Sequence, residues 1–203
     1  MEPSIKGSLM LGVVVTVRRL RDRGRIAAEA LEARLSAPAL ELVDRKIDIS
    51  RWYPVELFCE LLELDWDVGG SREPDYMRSE GEQAADRLFD SRIYQQLQYA
   101  ERTDRTETAD ALLRQAKLIT TITGTLYSFL QFEVRLANEG RRQLEIRYGN
   151  AALFSEALRY TTEGFMNQIN RRQGSSRRWS SERLRPDLVA FRMALPQRFG
   201  AGS

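Results

Sequence analysis

The chain has 203 residues, with 31 Lys and Arg, 29 Asp and Glu, one Cys and no His, for a formal charge of +2. Without His it has no Ser-His-Asp or Cys-His catalysis, no imidazole general base near neutral pH and no His-ligated haem, and one Cys supplies neither an internal disulfide nor a Cys/His zinc site. Hydrophobic content of 42% and charged content of 30% are ordinary for a globular chain, which at this length buries roughly 70% of its unfolded surface.

The first element follows Ser8, a candidate N-cap, with Leu9, Val13, Val17 and Leu20 at helical spacing and Gly24 as a stop. The β-branched run at 13–17 suits a strand equally, so both forms stay open for this segment. Its apolar stretch, residues 9–17, falls short of the about 20 residues a membrane span needs. Arginines at 18, 19, 21, 23 and 25 stand where a signal peptide would place its cleavage site. With a single Cys, this reads as a cytoplasmic chain without membrane insertion.

Residues 26–35 are rich in Ala, Leu, Glu and Arg and predict a helix that ends before Pro38. Ser50 and Pro54 mark the start of another, with Val55, Phe58, Leu61, Leu62 and Leu64 as its apolar face. Met77, Gly81, Ala84, Ala85 and Leu88 mark a third, whose small residues permit close approach by a neighbour; Ile93, Tyr94 and Leu97 extend or follow it. Ala109, Leu112, Leu113, Ala116 and Ile119 make a further helix that stops near Gly124.

The period then changes to two. Leu130, Phe132, Val134 and Leu136 alternate with polar residues, 138–140 is a turn, and Leu144, Ile146 and Tyr148 alternate again, predicting a hairpin with one buried face. Asn150 caps a helix with the stripe Phe154, Leu158, Thr161, Phe165 and Ile169, ending at Gly174. Val189, Phe191, Met193 and Leu195 form a last strand before Pro196. The expectation is one α+β domain over 4–196, N-terminal helices followed by a β-β-α-β unit whose small antiparallel sheet is covered by helices, with 197–203 as a flexible tail.

With Ile5-Lys6-Gly7-Ser8 at the start, Trp52-Tyr53-Pro54 before an acidic-hydrophobic helix, a Gly81/Ala84/Ala85/Asp86/Arg87 helix and the β-β-α-β ending, residues 4–195 resemble a paralogous family of about 200 residues found in myxobacteria and relatives. That family is similar in element order to the superfamily of haem-nitric-oxide-binding domains, vinyl-reductase-like small-molecule-binding domains and transport-particle subunits. The resemblance implies a helical-and-sheet domain that holds a small molecule in an apolar pocket or dimerises. The haem branch needs a proximal His and the vinyl-reductase-like branch often uses clustered Cys, and this chain has neither. No cofactor and no metal are therefore expected.

Two groups of residues are candidate sites. Trp52, Tyr53, Phe58 and Cys59 at a helix start can wall a ligand pocket, or equally staple the helix entry to the core, with Cys59 as an inert core thiol. Arg171, Arg172, Arg177, Arg178, Arg183 and Arg185 surround Trp179 and carry a local charge of +5 against Glu182. As an exposed loop this segment can grip phosphates and stack on bases, although an ordinary solvated loop accounts for the charges too. In contrast, residues 56–90 carry eleven acids against Arg72, Arg78 and Arg87. A chain acidic in its middle and basic near both ends can associate head to tail or recruit an acidic partner. The functional expectation is a non-enzymatic regulatory or scaffolding domain working through self-association (a homo-oligomer), protein partners and a small apolar ligand. The alternative is a nucleic-acid-binding protein using 171–185.

Overall fold

The computed structural model describes residues 2–90, 109–137 and 143–195. The helix extension expected at Ile93, Tyr94 and Leu97, the turn at 138–140 and the tail 197–203 lie outside the described residues. The chain opens on β1 (Ser4–Lys6), which pairs antiparallel with β2 (Trp52–Pro54). Between them run α1 (Gly7–Asp22), α2 (Ala28–Arg34) and α3 (Ala37–Asp44). The ambiguous β-branched segment is helical because its buried residues, Met10, Val13, Val14, Val17 and Leu20, follow a helical period that only α1 presents to the core. Ser8 is not its cap; the helix begins at Gly7 after Lys6. Pro38 does not merely end α2. It stands in the first turn of α3, where its missing N–H costs nothing, and Ser36 accepts a hydrogen bond from the Ala39 N–H at 3.4 Å as the cap. Arg18 of α1 donates to the Val43 and Arg45 carbonyls, satisfying acceptors that α3 leaves open at its C-terminus.

Helices α4 (Val55–Val68), α5 (Pro74–Asp90) and α6 (Ala109–Gly124) follow β2. Trp52 and Tyr53 do not lie in α4. They are spent in the β1–β2 pairing, and Pro54 rather than Ser50 is the cap residue. The C-terminal half is a four-stranded antiparallel sheet in the order β3-β4-β6-β5, from β3 (Gln131–Ala137), β4 (Gln143–Gly149), β5 (Trp179–Arg185) and β6 (Leu188–Ala194). Helix α7 (Glu156–Arg172) connects β4 to β5, capped by Ser155, whose hydroxyl accepts from Leu158 N–H at 3.2 Å. Asn150 instead adopts a left-handed conformation before a short 3-10 turn at Ala151–Leu153. The α+β class holds.

Two expectations about the sheet change. The unit is β-β-α-β-β, because the segment read as a basic loop contains β5. Its inward positions, set by the register with β6, are Trp179, Ser181 and Arg183, so only one of three is apolar and the alternation signal is lost. The central strand β4 is also buried on both faces. Leu144, Ile146 and Tyr148 face the helices, while Glu145 on the other face is only 3% exposed, closed over by Arg147 at 2.5 Å and Arg192 at 2.6 Å. These two arginines and their hydrogen bonds hold the Glu145 carboxyl below the usual range against the burial that would raise it.

The tightest contact joins α5 to α7. A Cβ on Gly81 would lie 1.9 Å from the Thr161 carbonyl oxygen, and one on Gly164 would lie 1.9 Å from the Arg78 carbonyl oxygen. Each helix thus supplies a glycine against the other's backbone, a reciprocal contact that no side chain can enter. Arg78 Nε donates to Glu163 at 2.6 Å beside it, and Arg171 and Arg172 of α7 pair with Glu82 and Asp86 of α5 at 2.6 and 3.0 Å. Much of the charge separated along the sequence therefore meets within the chain. Substituting Gly81→Ala or Gly164→Ala is expected to cost about 1–3 kcal/mol each through overpacking against backbone. Gly12→Ala in α1, where an added Cβ meets nothing within 4 Å, is expected to stabilise by up to about 1 kcal/mol. Urea unfolding of the three variants checks both signs.

Candidate functional site

An open cavity of about 550 Å³ lies where α2, α4 and the entry to α7 meet. Helix α4 supplies Glu56, Cys59, Glu60, Glu63 and Leu64, which fall on one face because their spacing follows the helical repeat. Arg34 enters from α2, Arg72 from the α4–α5 turn, and Leu153 and Ser155 from the start of α7. Asp67 bridges the two guanidiniums. Arg34 donates to it and holds its carboxyl below the usual range, and Arg72 approaches it at 3.4 Å. Arg72 also donates to Glu63 at 3.1 Å. Glu60 accepts from the Ser36 N–H at 2.9 Å.

Cys59 is the member of the expected Trp52, Tyr53, Phe58 and Cys59 cluster that lines this cavity. Its thiol donates to the Leu153 carbonyl at 3.4 Å, and burial, with Glu63 and Glu56 nearby, pushes it up to about 11, so it stays a protonated thiol rather than a nucleophile. Phe58 points into the core at 5% exposure. Tyr53 accepts from the Asp48 N–H at 3.0 Å, and Trp52 lies 44% exposed under Lys6, whose Nζ is 4.4 Å from the ring centroid. The cavity sets charged side chains beside an apolar wall of Leu64, Ala152 and Leu153. From sequence, Glu56, Glu60, Glu63 and Arg72 belong to the acidic stretch 56–90 read as solvated helix faces, and Arg34 was not singled out. The face of α4 was legible as spacing, but the approach of Arg34 and Arg72 is tertiary.

The arginine segment is not an exposed loop. Arg171 and Arg172 end α7 in the ion pairs with α5, Arg177 donates to the Ala194 carbonyl at 3.0 Å, and Arg185 meets Asp187 at 3.4 Å. Arg178 is exposed. Trp179, expected to be exposed, is 1% exposed: its backbone pairs with the Asn167 side chain and its Nε1 donates to Asn170 at 3.2 Å. Arg183 donates to Glu156 at 2.7 Å and to the Ala151, Phe154 and Pro186 carbonyls. Glu156 also accepts from Arg159, which donates to the Ser181 carbonyl and hydroxyl at 2.8 and 2.7 Å, and Ser181 N–H donates to Glu163 at 2.9 Å. A continuous polar network thus runs from Arg78 of α5 through α7 to Arg183 of β5.

Neither a protein-family model nor a curated protein sequence matches the chain. Solved structures do match, and they are H-NOX domains. An Fe(II) unliganded H-NOX protein from K. algicida superposes with a TM-score of 0.60 at 15% identity, covering 96% of this chain and 98% of that one. A mutant of the same protein reaches 0.63 at the same identity and coverage. An H-NOX mutant of T. Tengcongensis gives 0.56 at 13% identity, over 95% of this chain and 98% of that one. The fold is that of the H-NOX domains, as the superfamily resemblance implied.

Haem, which the H-NOX fold implies, needs an axial donor. The chain has no His, its one Cys is held as a thiol, and among the described residues no group of three or more Cys, Asp or Glu is placed to hold a metal ion. The buried tyrosines Tyr127 and Tyr148 sit in an aromatic cluster with Phe132, Phe154 and Phe191, where burial pushes both phenols up and disfavours a phenolate ligand. The Tyr148 hydroxyl lies near that of Thr123, which donates to Ile119, but has no hydrogen bond of normal geometry. These residues do not fit a haem.

Away from the cavity, α4 also carries Asp65, 2% exposed, accepting from the Tyr76 hydroxyl at 2.7 Å. Burial pushes its carboxyl up to about 6 despite that hydrogen bond. A carboxyl with a raised folded pKa stabilises the fold when protonated, and that contribution is lost as pH rises from about 4 through about 6. Asp65→Asn, which keeps an acceptor for Tyr76 and removes the charge, is therefore expected to exceed wild type in stability by about 3 kcal/mol at pH 8, and by little below pH 4. Chemical denaturation at the two pH values measures the gap.

Proposed function

We propose that the chain is a regulatory domain on the H-NOX fold that binds a small polar molecule, without haem, in the cavity between α2, α4 and the start of α7. The observation that carries this reading is the cavity itself, which sets five charged side chains and one thiol around a space suited to a small molecule. Leu153 and Ser155 belong both to its wall and to the entry of α7, so occupation bears directly on the helix that holds the polar network and the α5 contact. The reading is one of binding rather than catalysis, supported by the protonated Cys59 and the lack of an imidazole base.

Self-association or a protein partner supplies the output in this proposal. Ile49 and Trp52, 47% and 44% exposed near Lys6 and Arg51, support a contact surface there. Native mass spectrometry of freshly purified protein is expected to show a small adduct on the 23.4 kDa chain, lost when Leu153→Trp, at a wall residue 38% exposed, fills the cavity. Retention of the adduct by that variant would place the ligand elsewhere. Light scattering after size exclusion is expected to show mass rising with concentration; a strict monomer at every concentration and salt removes the self-association part.

A further inference from the structure

The charges around the cavity are unevenly satisfied. Glu56 and Glu60 lie one turn apart on α4, and among the described residues neither pairs with a cation. Like charges at this spacing repel along a helix, and a cation placed between them relieves the repulsion. Arg34 and Arg72 are in the opposite condition. Arg34 spends one terminal nitrogen on Asp67, and Arg72 spends Nε and Nη1 on Asp67 and Glu63, so each guanidinium, with five N–H donors, keeps donors unspent. Leu64 and Leu153 line the cavity with them, the latter 38% exposed. Two guanidiniums against three carboxylates leave the lining with a net negative charge.

Resting on the ligand-binding reading of this cavity, we propose that its ligand is a basic α-amino acid. The α-carboxylate is held by the unspent N–H groups of Arg34 and Arg72, in the charge-assisted, fork-like manner that guanidiniums offer carboxylates. The cationic end of the side chain sits between Glu56 and Glu60. The methylenes cross Leu64 and Leu153, and Glu63, which keeps one carboxylate oxygen free of Arg72, faces the α-ammonium. A dicarboxylate would meet three carboxylates, and a diamine would leave the arginine donors unused. A neutral amino acid would leave Glu56 and Glu60 unpaired.

Isothermal titration of the full chain at low ionic strength and neutral pH, with L-arginine, L-leucine, agmatine and succinate as separate probes, tests the assignment. L-arginine is expected to bind one-to-one, and Glu60→Gln, which keeps an acceptor for Ser36 N–H, to weaken it by about tenfold, the loss of one charge-assisted contact. Arg34→Gln is expected to weaken L-arginine but not agmatine, a dication that lacks the carboxylate and is repelled by the Arg34 charge. Agmatine binding as tightly as L-arginine overturns the amino-acid assignment. Binding of L-leucine or succinate in preference, abolished by Leu153→Trp, overturns the ligand class but keeps the cavity as a ligand site. No heat with any of the four probes removes the basic amino-acid assignment, while the cavity reading stands or falls separately with the adduct seen by native mass spectrometry.

Discussion

The architecture depends on the crossing of α5 and α7, where Gly81 meets the backbone of Thr161 and Gly164 that of Arg78. Backbones approach this closely only where neither helix carries a Cβ. The contact fixes the depth at which α7 lies, and with it the position of everything α7 carries. Its Asn167 and Asn170 draw Trp179 and the start of β5 inward, its Arg159 and Glu163 meet Ser181, and its capped N-terminus closes one wall of the cavity.

Polar burial on this scale is stable only when its members are satisfied. The network meets that demand. Glu163, 6% exposed, accepts from Arg78 and Ser181, and Arg159, 8% exposed, divides its donors between Glu156 and Ser181. Tyr160 lies under two of these cations, 4.9 Å from Arg78 and 4.1 Å from Arg159, and edges onto Trp66 of α4. The ionic layer and the apolar core therefore interlock, and α4, which lines the cavity, is tied to the same helix that β5 depends on. The proximal His that a haem would need is missing from the sequence.

Much of this was legible in the residues. The small-residue face at Gly81, Ala84 and Ala85 announced a close helix contact, the C-terminal limit of α6 was readable, and the period-two runs located β3, β4 and β6. The larger failures share one reason: charged side chains were read as solvated. Trp179 among arginines looked like an exposed loop because its strand turns Ser181 and Arg183, not apolar residues, toward the interior. Glu145, Arg159 and Glu163 carry no sign in sequence that their partners lie across the fold. The cavity was half readable, since the spacing of Glu56, Cys59, Glu60 and Glu63 marks one face of α4, but Arg34 and Arg72 reach it only through tertiary structure. The acidic middle and basic end of the chain pointed outward to a partner, yet Arg171 and Arg172 find Glu82 and Asp86 inside the same molecule.

This chain has the H-NOX fold with a core closed by its own side chains. The most direct measurement is the visible absorption spectrum of the full-length protein purified from cells supplied with excess haem. The account predicts the protein band alone, with no Soret absorbance above that of a non-binding control. A Soret band corresponding to one haem per chain, retained through gel filtration, would contradict it.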